Sequence, residues 1–262
     1  MVVSNVRDIE AVECGRKGKS VNETDRNVPN ASEEKTRLAD FAEEATGFGE
    51  TEWRTFRDLL VRPRATLEAY LTIGPTAGGQ YRRPMGFYIA LCGVLTFYMF
   101  LLGGFKGIIE AQPAGVLSPW LERSGKSREI FVSDVDGWMS ILATPILSLF
   151  YATFCAPLLI WWSGLDWRKG FRATFVLLNA WTAPILLLGP LPLMPAFAAV
   201  GSLLMQLLLV VAFLRTGQGL WFRTWLAGVG KAVVLFAVLM AGALVGMLPV
   251  LYLSLMGASL VS

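Results

Sequence analysis

Residues 86–105 read GFYIALCGVLTFYMFLLGGF, twenty residues without a charged side chain. An α-helix needs about 20 such residues to cross roughly 30 Å of hydrocarbon at about 1.5 Å per residue. Lipid offers no partner to a loose backbone N–H or C=O, so a segment this long and apolar reads as a spanning helix. Working outward, four further runs have the same character, at about 138–163, 173–194, 197–214 and 232–253. The last lies in a tail from Lys231 to Ser262 that would be about 48 Å long as one helix, too short for two crossings and a turn. The expected fold is all-α: a polytopic membrane helix bundle with five transmembrane helices.

Composition points the same way. Hydrophobic residues make up 54% of the 262 and charged residues 16%, below the roughly 25% of a soluble domain. The charges are also segregated. Residues 1–50 hold seven basic and eleven acidic residues, 51–85 six basic and three acidic, and the remainder ten basic and six acidic. Basic residues favour the cytoplasmic side of spanning segments. One side collects Arg64, Arg82, Arg83, Arg168, Lys169, Arg172, Arg215, Arg223 and Lys231; the other has Lys106, Arg123, Lys126 and Arg128 in a single loop. Nine against four places the N-terminus in the cytoplasm and the C-terminus outside. Because these basic residues flank apolar runs, the net charge of +3 gives no reason to expect a nucleic-acid partner.

There is no histidine, which excludes Ser-His-Asp hydrolases, HExxH metalloenzymes and haem–His ligation together. Three dispersed cysteines, Cys14, Cys92 and Cys155, make neither a disulfide framework nor a four-thiolate zinc site. No catalytic residue, metal ligand or cofactor is expected. The interiors of the five runs contain no ionisable residue, whereas ion-coupled transport generally places one near the midplane. Asn179 and Gln206 are the candidate intramembrane polar contacts, amides that hydrogen-bond across helices or line a substrate path. Prolines 145, 157, 184 and 249 permit kinks. AGALVG (241–246) permits close helix packing. Residues 1–50, rich in Glu, Asn, Ser and Lys, read as a disordered acidic cytoplasmic tail without a signal-peptide h-region. The segment 106–137 reads as a packed outer loop, with Trp120, Leu121, Ile130 and Phe131 able to lie on the membrane surface.

Between tail and bundle, residues 51–85 include RDLLVRPRATLEAYLT (57–72) and GQYRRP (79–84). Helical spacing puts Trp53, Phe56, Leu60, Leu67, Tyr70 and Leu71 mostly on one face, with Arg57, Asp58, Arg64 and Glu68 opposite. Pro63 suits the first turn of a second helix, with Arg62 as the junction. An amphipathic juxtamembrane pair results, its apolar face in the acyl boundary or against the bundle. Arg57, Arg62, Arg64, Arg82 and Arg83 are its candidate lipid-headgroup or interface contacts.

At these residues the chain resembles a bacterial membrane-protein family known only as a domain of unknown function, with the pattern T-x-R-D-L-L-x-R-P, then x-Y-L and Y-x-x-P before a span. The matching positions are Thr55, Arg57, Asp58, Leu59, Leu60, Arg62, Pro63, Tyr70, Leu71, Tyr81 and Pro84. Many members carry an N-terminal Cys-x-x-Cys zinc ribbon, whereas here Cys14 is followed by Gly15. FRATFVLLNAWTAP (171–184) and GVGKAVVLF (228–236) are more distantly similar to the YIP (Ypt-interacting protein) superfamily of five-span adaptors. The resemblance implies an architecture and a bacterial inner-membrane location more than a role. The expectation is a non-enzymatic membrane scaffold or envelope-organising, lipid-interacting factor. The alternative is a permease or channel for a neutral or amphipathic small molecule. Membrane lipids are the expected partners; a protein partner or homo-oligomer stays open.

Overall fold

The computed structural model describes residues 49–101, 104–188 and 198–260. The expectations for the acidic tail before residue 49 and for the Pro-rich turn at 189–195 lie outside those residues. The described chain is helical: α1 (Glu50–Val61), α2 (Pro63–Thr72), α3 (Pro84–Leu101), α4 (Lys106–Glu110), α5 (Ala114–Ser124), α6 (Arg128–Ser163), α7 (Trp167–Leu187), α8 (Ala198–Gly217) and α9 (Trp225–Leu260). Four helices, α3, α6, α7 and α9, are long and apolar enough to cross a membrane. On α8 the apolar stretch Leu203–Gly217 is shorter.

Local chemistry sets the helix ends. Pro63 opens α2 at its first position, where the missing N–H has no acceptor to lose. Ser127 caps α6 by accepting from the N–H of Ile130. Asp166 caps α7 through the N–H of Lys169, 3.0 Å away. Gly164 closes α6 in the left-handed region at φ 65°, which a residue with a Cβ adopts only under strain.

Two packing centres result. The larger surrounds α7, the most enclosed of the four long helices, which touches α1, α2, α3, α6 and α8. Val176, Leu177, Leu178 and Ala183 are buried there with Leu91 of α3, Phe213 of α8 and Leu235 of α9. The second lies at the far end, where Ile109 of α4, Leu117 of α5 and Phe131, Val135 and Met139 of α6 meet Val250 and Leu255 of α9. α6 and α9 run antiparallel along most of their length. Ideal Cβ atoms on Gly242, Gly246 and Gly257 would fall against Phe154, Phe150 and Trp138 respectively.

Two sequence expectations are corrected. The stretch 106–137, expected as a packed loop with span two starting near 138, is largely helical: it forms α4, α5 and the first ten residues of α6. Phe131 is buried among them while Ile130 points outward, so only part of this segment offers an apolar surface. On α1 the buried face is Glu52, Thr55, Asp58 and Leu59, and Trp53 is 62% exposed. Asp58 turns inward, where the Tyr81 hydroxyl from 23 residues on donates to it.

Candidate functional site

The residues 49–84 fold as one hydrogen-bonded unit around two buried carboxylates. Asp58 accepts from the Tyr81 hydroxyl at 2.9 Å, from Arg57 Nε at 3.1 Å and from Arg62 Nη2 at 3.2 Å. Glu52 accepts from the N–H of Gly49 at 3.2 Å and pairs with Arg82. Thr55 Oγ1 accepts from the backbone N–H of Arg82 at 3.0 Å and donates to the carbonyl of Thr51 at 2.7 Å. The Tyr70 hydroxyl donates to the carbonyl of Arg82. The turn between α2 and α3 is thereby tied to both α1 and α2.

Burial alone would raise the Asp58 pKa, but the bonds from Tyr81, Arg62 and Arg57 outweigh it and hold the carboxyl below its ordinary value. Burial pushes the Tyr70 phenol well up. Tyr81 is raised by burial and by its bond to the Asp58 carboxylate. Asp58 is therefore an anion and both tyrosines are neutral donors at pH 7.

Three side chains from the bundle clamp this unit by its carbonyls. Arg172 of α7 donates to Tyr70 O at 3.5 Å, Arg215 of α8 to Val61 O at 2.9 Å and Asn179 of α7 to Pro84 O at 2.8 Å. Leu59 and Pro63 face Ala180 and Pro184 of α7 and Ala212 of α8 across a small gap of about 70 Å³. Of the expected apolar face, Leu67 and Tyr70 are buried in the bundle core and Phe56, Leu60 and Leu71 pack against it, whereas Trp53 does not.

The five candidate arginines separate by partner. Arg57 and Arg62 converge on Asp58. Arg82 pairs with Glu52, and Arg64 with Glu68 at 2.9 Å in the open. Arg83 is exposed; its carbonyl accepts from the N–H of Phe87 at 3.0 Å, and its guanidinium has no hydrogen-bond or ion-pair partner among the described residues. It lines a cavity of about 520 Å³ with Glu52, Thr76, Gly79 and Arg82, which continues along Gly86, Phe87 and Ala90 of α3. Of the intramembrane candidates, Asn179 is 1% exposed and its Oδ1 has no partner among the described residues. Gln206 is half-buried on α8.

Sequence reading missed a polar seam between α3 and α6. Cys92 Sγ and Ser148 Oγ lie 3.4 Å apart, and Thr96 bonds to Thr144. Its signal was available: small polar residues four apart on two antiparallel helices share one face. Tyr88, Cys92, Thr144 and Ser148 line two mostly apolar cavities of about 460 Å³ and 320 Å³, one on each side of the seam. Neither cavity is lined by Asn179 or Gln206. Among the described residues no group of three or more His, Cys, Asp or Glu comes together to hold a metal.

At the end where α6 stops and α7 and α9 start, Trp161, Trp167 and Trp225 are 60–77% exposed. Lys231 sits there 5.0 Å from the centre of the Trp162 ring and donates to Trp221 O at 2.6 Å. No protein-family model, curated protein or solved structure matches the chain.

Proposed function

We propose that this chain is a non-enzymatic integral protein of the bacterial inner membrane, a scaffold or envelope-organising, lipid-interacting factor. It has five spans, a cytoplasmic N-terminus and an external C-terminus. The observation that carries this reading is the clamped unit of residues 49–84, whose buried carboxylates are spent on neighbouring arginines and Tyr81 rather than aimed at a substrate. Three carboxylates elsewhere are engaged within the chain too: Asp166 caps α7, Asp134 pairs with Lys126 and Asp136 accepts from the N–H of Phe105. α8 serves as the fifth span, packed beside α7 and α9. The exposed tryptophans at the α6–α7 turn then stand at the headgroup level, where amphipathic rings are favoured.

The proposed membership in the domain-of-unknown-function family gains a physical rationale. Thr55, Arg57, Asp58, Arg62, Tyr70 and Tyr81, which carry the resemblance, are the residues that bond to one another or to the adjoining turn. Such a pattern maintains a rigid unit at the membrane face. A second reading, a permease for a neutral or amphipathic molecule, is favoured by the two apolar cavities separated only by the α3–α6 seam, with Pro145 lining one of them.

Flux in sealed vesicles containing the purified full chain decides between the two. The scaffold reading expects permeability to neutral solutes and to fluorescent amphiphiles to match that of protein-free vesicles. Saturable, protein-dependent flux that Thr144→Leu abolishes would establish the permease reading in its place.

A further inference from the structure

We propose that the cavity between α1, the 73–83 turn and the start of α3 seats the phosphate of an anionic phospholipid. Arg83 is its principal ligand, and one acyl chain lies along Gly86 and Ala90. The inference rests on the reading that this end of the bundle stands at the headgroup level.

Partners are unevenly shared among the candidate arginines. Four of the five arginines between residues 57 and 83 hold carboxylates, which leaves the Arg83 guanidinium without one among the described residues. An unpaired guanidinium is a ready fork for phosphate oxygens. In the cavity, Arg82 and Arg83 face a single carboxylate, Glu52, which Arg82 already neutralises. α3 starts at the same place. Its first turn carries N–H groups at Met85 and Gly86 that lack intrahelical acceptors, and the positive end of its dipole favours an anion. Thr51 and Thr76 line the same space.

The shape of the lining separates a lipid from a free anion. The lining changes character along its length, from charged and hydroxylic residues to Gly86, Phe87 and Ala90 on the flank of an apolar helix. A Cβ on Gly86 would meet no atom within 4 Å, so the furrow beside the headgroup seat is open. A charged end followed by an apolar channel fits a molecule of that shape; inorganic phosphate would use only half of it.

The test uses the full chain in bilayer discs of phosphatidylcholine with a minor fraction of phosphatidylglycerol, and measures by native mass spectrometry which lipid stays bound. Wild type should retain phosphatidylglycerol preferentially. Arg83→Gln should lower that preference about tenfold, the loss of a charge-assisted contact. Gly86→Leu, which keeps every charge and fills the furrow, should lower it comparably. Arg168→Gln, an exposed arginine at the same end of the bundle, should leave it unchanged. Equal loss in Arg168→Gln would show diffuse surface charge and overturn the cavity while leaving the membrane placement intact. Loss of preference on adding inorganic phosphate alone, with Gly86→Leu silent, would assign the seat to a soluble anion and overturn the lipid. If quencher-labelled headgroups fail to quench Trp161 and Trp167 in wild type, the placement itself falls, and this inference with it.

Discussion

Asp58 is 3% exposed, yet its carboxyl stays ionised because a phenol and two guanidiniums donate to it. Asp58→Asn keeps the shape and removes the charge-assisted bonds, at an expected cost of about 1–3 kcal/mol. Hydrogen exchange should show faster opening of the amides between residues 50 and 83. The pH dependence has a definite sign. The folded pKa lies below the ordinary 3.8, so the stabilisation is complete above that value and is lost as pH falls through the folded pKa. Protection of the same amides should therefore drop in strong acid for wild type, and Asp58→Asn should remove that step; an unchanged acid response would acquit Asp58. Helical periodicity placed this residue on the solvent face because its decisive partner, Tyr81, lies 23 residues away. The pattern contained the residues but not their meeting.

Helix boundaries were legible wherever a residue changes backbone chemistry. Pro63, which opens α2, and the hydrophobic run of α3 follow directly from the chain, whereas α7 begins at Trp167, six residues before the apolar run expected from 173. The first ten residues of α6 were not read as helix because Arg128, Glu129, Asp134 and Asp136 depress hydropathy there. Phe131, Val135 and Met139 nevertheless recur four apart and are buried against α9 and the short helices, a helical signal that averaging hides. The contact of α6 with α9 depends on a missing side chain. A Cβ on Gly246 would stand 3.0 Å from Phe150 Cγ and 3.1 Å from Leu147 Cδ2, so Gly246→Leu must push the two helices apart. A destabilisation of about 1–3 kcal/mol is expected, read as a lower midpoint of thermal unfolding in detergent. An unshifted midpoint would mean that these helices separate freely. The AGALVG motif advertised close packing, although only the fold names Phe150 as its neighbour.

For the whole molecule, the proposed topology is open to a direct check. A reporter fused after Ser262 should register as external and one inserted beside Arg168 as cytoplasmic; the reverse pair would invert the orientation. An Arg168 reporter on the cytoplasmic side together with a cytoplasmic C-terminus would remove α8 as a span.

By itself the sequence determined that this chain is a bundle of apolar helices, because length and hydropathy act residue by residue and need no partner. It also marked 51–85 as a Pro-interrupted amphipathic segment with six basic and three acidic residues between the acidic tail and the first apolar run. Tertiary structure decided that Asp58 and Glu52 are buried and which groups meet them there. Arg57, Arg62 and Arg82 are spent on Asp58 and Glu52, Arg172 and Arg215 on backbone carbonyls, and Arg83 is left facing a cavity. Electrostatic pairing falls off over a few ångströms, and those ångströms are set by the chain's path in space rather than by its order.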